Sequence, residues 1–133
     1  MSEIIFKELS YNVIGLAMEV HKTLGSGFLE KVYENSLMLL LHKENIKAQN
    51  QFPIDVYFHD KIVGSYSADI LVENKIILEL KAVKKIKDID RAQMINYLTA
   101  TKKKLGIIIN FGAKSLEFER IVSKNMLNEN KFE

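Results

Sequence analysis

The chain has 133 residues, 47% hydrophobic and 27% charged, which is the make-up of a soluble globular protein with one core. It has no cysteine, which excludes disulfides and thiolate metal centres. Its three histidines, His21, His42 and His59, lack metal-ligand spacing, so a bound metal would rely on oxygen donors and would be of the magnesium or manganese kind. The net charge of +2 names no partner by itself. The opening MSEIIFKELS lacks the basic-then-apolar layout of a secretion signal, and the longest apolar run, Leu37 to Leu41, is far too short to cross a bilayer. A cytoplasmic protein without membrane attachment is expected.

Ile4 to Leu24 reads as a helix, with Ile5, Leu9, Val13, Leu16, Val20 and Leu24 spaced by threes and fours. Gly25-Ser26-Gly27 breaks it. A second helix is expected from Leu29 to Lys43, with Val32, Tyr33, Leu37, Leu40 and Leu41 as its apolar face and Asn45 at its end. The period then changes. Gln51 to Phe58 reads as a strand with Phe52, Ile54, Val56 and Phe58 on one side. His59-Asp60 turns the chain into a second strand, Lys61 to Val72, with a bend at Gly64. Glu73 to Lys75 turns it again into a third strand, Ile76 to Val83. Asp88 to Thr101 is expected to be a helix with Ile89, Ala92, Ile95 and Leu98 inward. Leu105 to Phe111 (LGIIINF) is the continuous apolar run of a strand covered on both faces and is expected at the sheet's centre. Leu116 to Val122 reads as a last strand, and MLNENKFE as a frayed end.

The order predicts an α/β fold: a three-strand meander, a crossover helix and further strands in one mixed sheet, flanked by helices. There is no repeat or linker, so residues 1–133 are expected to form one domain, with its core at about 5–122 and a tail at 123–133.

The third strand, ILELKAV, carries charge where a core strand should not. Alternation places Ile77, Glu79 and Lys81 on one face and Leu78, Leu80 and Ala82 on the other. With a three-residue turn at Glu73 to Lys75, Val72 pairs with Ile76 and Asp69 falls opposite Glu79. A two-residue turn would send the two carboxylates to opposite faces. In the three-residue register the carboxylates repel each other, and a divalent metal relieves that repulsion. Such a metal also binds a phosphate oxygen and activates water, while the neighbouring ammonium orients the water or stabilises charge on phosphorus. Asp69, Glu79 and Lys81 in this layout suit metal-dependent phosphodiester hydrolysis. An ordinary exposed ion pair is the plain alternative.

Between Lys81 and Lys104 eight bases (Lys81, Lys84, Lys85, Lys87, Arg91, Lys102, Lys103 and Lys104) face two acids, Asp88 and Asp90. That local excess suits a phosphate-facing surface, or equally a solvated lysine face.

With these residues placed, the chain resembles the PD-(D/E)XK nuclease superfamily, and within it the group named for a G-x-x-E-x-x-Y motif. Here that motif reads Gly27-Phe28-Leu29-Glu30-Lys31-Val32-Tyr33. The superfamily signature would be Asp69 followed by Glu79-Leu80-Lys81, with Ala68 where the family name expects proline. Gln93-Met94-Ile95-Asn96-Tyr97 resembles the Q-x-x-x-Y of RecB-like exonucleases. The resemblance implies a restriction-endonuclease-like core. It implies Mg2+ or Mn2+ on Asp69, Glu79 and the Leu80 carbonyl, Lys81 as the catalytic lysine, and Glu30 approaching the metal from the second helix. Gln93 and Tyr97 would line the site or touch nucleic acid, DNA ahead of RNA. Tyr33 joins that contacting set, with a core role as its alternative, and Lys84, Lys85, Lys87 and Arg91 supply the basic surface. A homodimer or protein partner would add selectivity. The alternative function is a non-catalytic nuclease-fold module that binds nucleic acid or regulates.

Overall fold

Two helices, a meander, a crossover helix and two more strands follow one another in the computed structural model, which describes residues 4–124. They are α1 (Lys7–Leu24), α2 (Glu30–Lys43), β1 (Ala48–Phe58), β2 (Lys61–Val72), β3 (Ile76–Lys81), α3 (Asp88–Thr101), β4 (Leu105–Asn110) and β5 (Glu117–Val122). From residue 125 on, the expected tail lies outside the described residues.

The five strands form one sheet in the order β1-β2-β3-β4-β5, with β3 and β4 parallel and the other pairs antiparallel. A parallel pair needs a crossover, and α3 supplies it. The centre of this order is β3. LGIIINF, expected there, lies one place over as β4, buried along its whole length between β3 and β5.

Helices cover both faces of the sheet. On one, α1 and α2 bury Val13, Ala17, Tyr33 and Leu37 against Ile70, Leu78, Leu80, Ile107 and Ile109. On the other, α3 buries Met94, Tyr97 and Leu98 against Ala68, Leu71, Ile77 and Ile108. This corrects the inner face expected of α3. Ile89 and Ala92 are exposed and Ile95 is only half-buried, because the helix is rotated to present Met94, Tyr97 and Leu98 to the sheet.

The turns follow local chemistry. His59 and Asp60 both have positive φ between the paired Phe58 and Lys61, the twist a two-residue hairpin requires. Val72 pairs with Ile76 across the three residues Glu73 to Lys75, so the register is the one that sets Asp69 towards Glu79. At the bend expected near Gly64 the β1–β2 register shifts, from Val56 opposite Gly64 to Tyr57 opposite Ile62. The predicted apolar stripe on β1 is buried only in part: Ile54 is in the core, Phe52 and Val56 are half-buried and Phe58 is exposed. The β1–β2 hairpin outruns the helices that would cover it.

Gly27 has φ 117°, a conformation that glycine adopts freely, and it turns the chain from α1 into α2. Tyr33 fastens this loop from inside. Its hydroxyl donates to the Gly25 carbonyl (2.7 Å) and accepts from the Phe28 N–H (3.1 Å), and its ring stacks on Phe111 at 4.6 Å.

Candidate active site

The ladder between β2 and β3 runs from Val72↔Ile76 to Ile70↔Leu78 and stops where Asp69 and Glu79 would pair. There each carboxylate reaches across to the other strand's backbone. The Asp69 N–H donates to Glu79 Oε1 (3.1 Å), and the Leu80 N–H donates to Asp69 Oδ2 (2.7 Å). The same point is irregular in β1. Asn50 pairs with Ile70 and Phe52 with Ala68, but Gln51, with φ 51°, makes no ladder pair with Asp69. Ile70 packs in one core and Ala68, two residues away, in the other, so β2 crosses between faces at Asp69. Simple alternation does not anticipate that crossing.

Burial dominates the electrostatics, and repulsion from neighbouring acids adds to it. Burial first, then the Asp69 charge, push Glu79 up to about 8. Burial also raises Asp69. The Leu80 N–H bond opposes that, and the charges of Glu34 and Glu30 add to it. Lys81 lowers both carboxylates, and its ammonium stands 3.5 Å from Asp90 Oδ1. The other Asp90 oxygen accepts the Lys87 N–H (3.0 Å) at the start of α3. One side chain therefore ties the helix start and faces the lysine.

Gln93 and Tyr97, one turn apart on α3, meet through a 3.0 Å bond from Gln93 Nε2 to the Tyr97 hydroxyl. Burial, with the charges of Glu79 and Asp69 behind it, pushes that hydroxyl upward, so Tyr97 lies within electrostatic reach of the carboxylates. Glu30 is exposed at the first turn of α2, within electrostatic reach of Asp69 and Glu79.

Sequence reasoning missed three residues here. Glu34, one turn beyond Glu30, is buried and held by Lys31 (2.9 Å), Gln51 (2.9 Å) and Asn50 (3.4 Å). An acid at i+4 from Glu30 on an apolar helix face was the available signal. Gln51, which bonds both Glu34 and Ser67, gave none, because its left-handed backbone is a tertiary effect. Asp90 was counted only as an acid within the basic run.

Other expectations are corrected. Tyr33 is fully buried, so its ring has no surface to offer a nucleic acid and it serves the loop instead. Arg91 is engaged by Asp88 (2.6 Å) and Glu119 (2.6 and 2.9 Å), tying α3 to β5, so its charge is already matched by two carboxylates. The basic run is split. Lys84, Lys85 and Lys87 follow β3 at the site, whereas Lys102, Lys103 and Lys104 lie beyond α3, whose 14 residues span about 21 Å.

Asn110 at the end of β4 holds the loop after Lys81. Its Oδ1 accepts from Val83 N–H and Gly112 N–H (3.0 Å each), and its Nδ2 donates to Val83 O (2.9 Å) and Glu117 Oε1 (2.8 Å).

Among the described residues no group of three or more His, Cys, Asp or Glu is placed to hold a metal ion. Two adjacent carboxylates remain as the anionic donors. That set fits a hard cation that keeps water and takes phosphate oxygens for its other places, as magnesium does. No helix among the described residues is long and apolar enough to cross a membrane.

A sequence profile of the PD-(D/E)XK nuclease superfamily matches residues 7–121. The fold is similar to that in the crystal structure of SSO0001, at 16% identity and a TM-score of 0.53, covering 70% of this chain and 49% of that one. It is also similar to an alkaline exonuclease, LHK-Exo, from Laribacter hongkongensis, at 14% identity and a TM-score of 0.52, covering 98% of this chain and 76% of that one. The chain thus spans about half the length of the first and about three quarters of the second. At such identities the likeness is one of fold. Comparison with curated proteins gives no match.

Proposed function

Because the chain belongs to the PD-(D/E)XK nuclease superfamily, we propose that it is a nuclease hydrolysing the phosphodiester backbone with a divalent metal on Asp69 and Glu79. The observation that carries this is the pair of half-buried and buried carboxylates, cross-bonded where β2 and β3 part, with a lysine two residues along. An acid whose proton affinity is raised by burial and by the charge of a neighbouring acid suits a cation better than a purely structural role.

Asp69 and Glu79 would hold Mg2+ or Mn2+, with the Leu80 carbonyl as a further oxygen donor. When bound, the metal would supply a water of lowered pKa and polarise a phosphate oxygen. Lys81, steadied by Asp90, orients the attacking water or donates to the phosphate oxygens as charge builds there. The water oxygen bonds to phosphorus, the bond to the leaving oxygen breaks, and a proton goes to that oxygen. Gln93 and Tyr97 line the approach to the scissile group. Glu30 and Glu34 add negative potential that favours a cation at Asp69. The Gly27–Tyr33 motif would then be a device for starting α2 where Glu30 faces the site, which supports the G-x-x-E-x-x-Y group. Lys84, Lys85 and Lys87 would meet the phosphates of a nucleic acid. Residues 1–133 would act as one domain.

The test is cleavage of labelled linear and circular DNA and of RNA in Mg2+, Mn2+ or EDTA, with Asp69→Ala and Lys81→Ala alongside. Metal-dependent cutting by the wild type alone supports the nuclease. A folded wild type that binds nucleic acid but never cuts it would turn the reading to a binding module.

A further inference from the structure

Past Ile70 the second strand loses β3 as a neighbour, and β1 and β2 continue together as a two-stranded arm to His59-Asp60. β2 and β3 are antiparallel, so moving from Asp69 back to Tyr66 runs in the same direction as moving from Glu79 through Lys81 into the lysine loop. Arm and loop therefore leave the site at the same end of the sheet.

At the base of the arm stands Tyr66. The residue is 52% exposed, and its ring centroid lies 5.9 Å from that of Tyr97 at an interplanar angle of 49°. Tyr97 is itself buried, bonded to Gln93 and within electrostatic reach of Glu79 and Asp69. Gly64 leaves room beside the Tyr66 ring, since a Cβ there would come 3.4 Å from Cε2 and 4.0 Å from the hydroxyl oxygen. Tyr66 thus has Gly64 and Tyr97 as neighbours, is half open to water, and stands on β2 three residues before Asp69. Neither the catalytic roles above nor the core uses it.

We propose that Tyr66 is a stacking platform for an unpaired base next to the scissile phosphate, so that the preferred substrate is a single-stranded nucleic acid. The inference rests on the nuclease reading and deepens it. A flat aromatic ring accepts the π-face of any base, and in a duplex that face is covered by the neighbouring pairs. Lys84, Lys85 and Lys87 supply charge for the backbone of the same strand while the ring takes a base. Stacking and phosphate contacts of this kind carry no hydrogen-bond code for sequence.

Binding is measured in EDTA, where no cleavage interferes, using a labelled oligothymidylate, an oligouridylate, an abasic strand of equal length and a duplex. A strand carrying 2-aminopurine reports stacking directly through its quenched fluorescence. The expected result is that both single strands bind more tightly than the abasic strand and the duplex. Tyr66→Ala should weaken single-strand binding by roughly 5- to 100-fold and relieve the quenching, and Tyr66→Phe should keep both. Wild-type binding that is unchanged in Tyr66→Ala, or as tight for duplex as for single strand, would overturn the inference and leave the nuclease standing if it cuts. Absence of both binding and metal-dependent cutting would overturn the nuclease reading, and this inference with it.

Discussion

Glu79 is where burial and function conflict most sharply. A folded value of about 8 against an ordinary 4.5 means that the folded, metal-free protein keeps a proton that the unfolded chain has already lost. Stability in EDTA should therefore fall as pH rises from about 4.5 to about 8, then level off. Asp69, also raised, acts with the same sign. Circular-dichroism melts across that window check this, and Glu79→Gln should flatten the slope and remain folded above pH 8. A wild-type melting temperature that climbs across the window would contradict the burial of an uncompensated acid. Gly112 offers a steric prediction. A Cβ there would come 2.3 Å from both the N and O of Val83, which are backbone atoms and cannot swing aside. Gly112→Ala should lower stability by about 1–3 kcal/mol and reduce cleavage by displacing the loop that follows Lys81. Chemical denaturation with an activity assay reads both effects.

At the scale of elements, α3 does two jobs with adjoining faces that Tyr97 shares. Met94 and Leu98 close one core, while Asp90, Gln93 and Tyr97 turn towards the site. This mixture of polar and apolar residues is why the inner face was misjudged when apolar residues alone were followed. The loop before α3 and the helix itself also differ in what they offer a phosphate. Lys84 and Lys85 are exposed, whereas Arg91 is tied to Asp88 and Glu119. Lys84→Ala with Lys85→Ala should weaken nucleic-acid binding and reduce the salt slope by roughly 0.7–0.9 per lost contact. Arg91→Ala should leave that slope unchanged. Binding isotherms across a salt series distinguish them. A loss of slope in Arg91→Ala would mean that its acidic partners release it to the ligand.

For the whole molecule, the proposed metal would couple the site to folding. A cation held only by the folded state stabilises it, by about 2.7 kcal/mol at a hundredfold excess over Kd. Mg2+ should raise the melting temperature of the wild type and leave Asp69→Ala unmoved. The shift should grow as pH approaches 8, because the cation then displaces fewer protons from Glu79. Differential scanning calorimetry with and without Mg2+ measures it, and equal shifts in both proteins would place the ion elsewhere. The order of elements, the three-residue register at Glu73 to Lys75, and the candidate trio Asp69, Glu79 and Lys81 were all legible from periodicity and turn chemistry. These are local properties, set by residues within a few positions of one another.

What local pattern could not reach was decided by packing between distant segments. Glu34 and Gln51 meet only because α2 lies over the start of the sheet, and Gln51 takes its left-handed backbone where β2 changes faces. Tyr33 became loop support because Phe111, from the far side of the chain, stacks on it. Arg91 found Glu119 on a strand added after the crossover, and the same crossover carried three of the eight bases to the opposite end of α3. Sequence by itself determined which segments are helix or strand and which residues can do chemistry, since those depend on side-chain type and spacing. The tertiary structure alone decided which of those residues are paired, buried or free, because burial and charge pairing depend on what comes near in space.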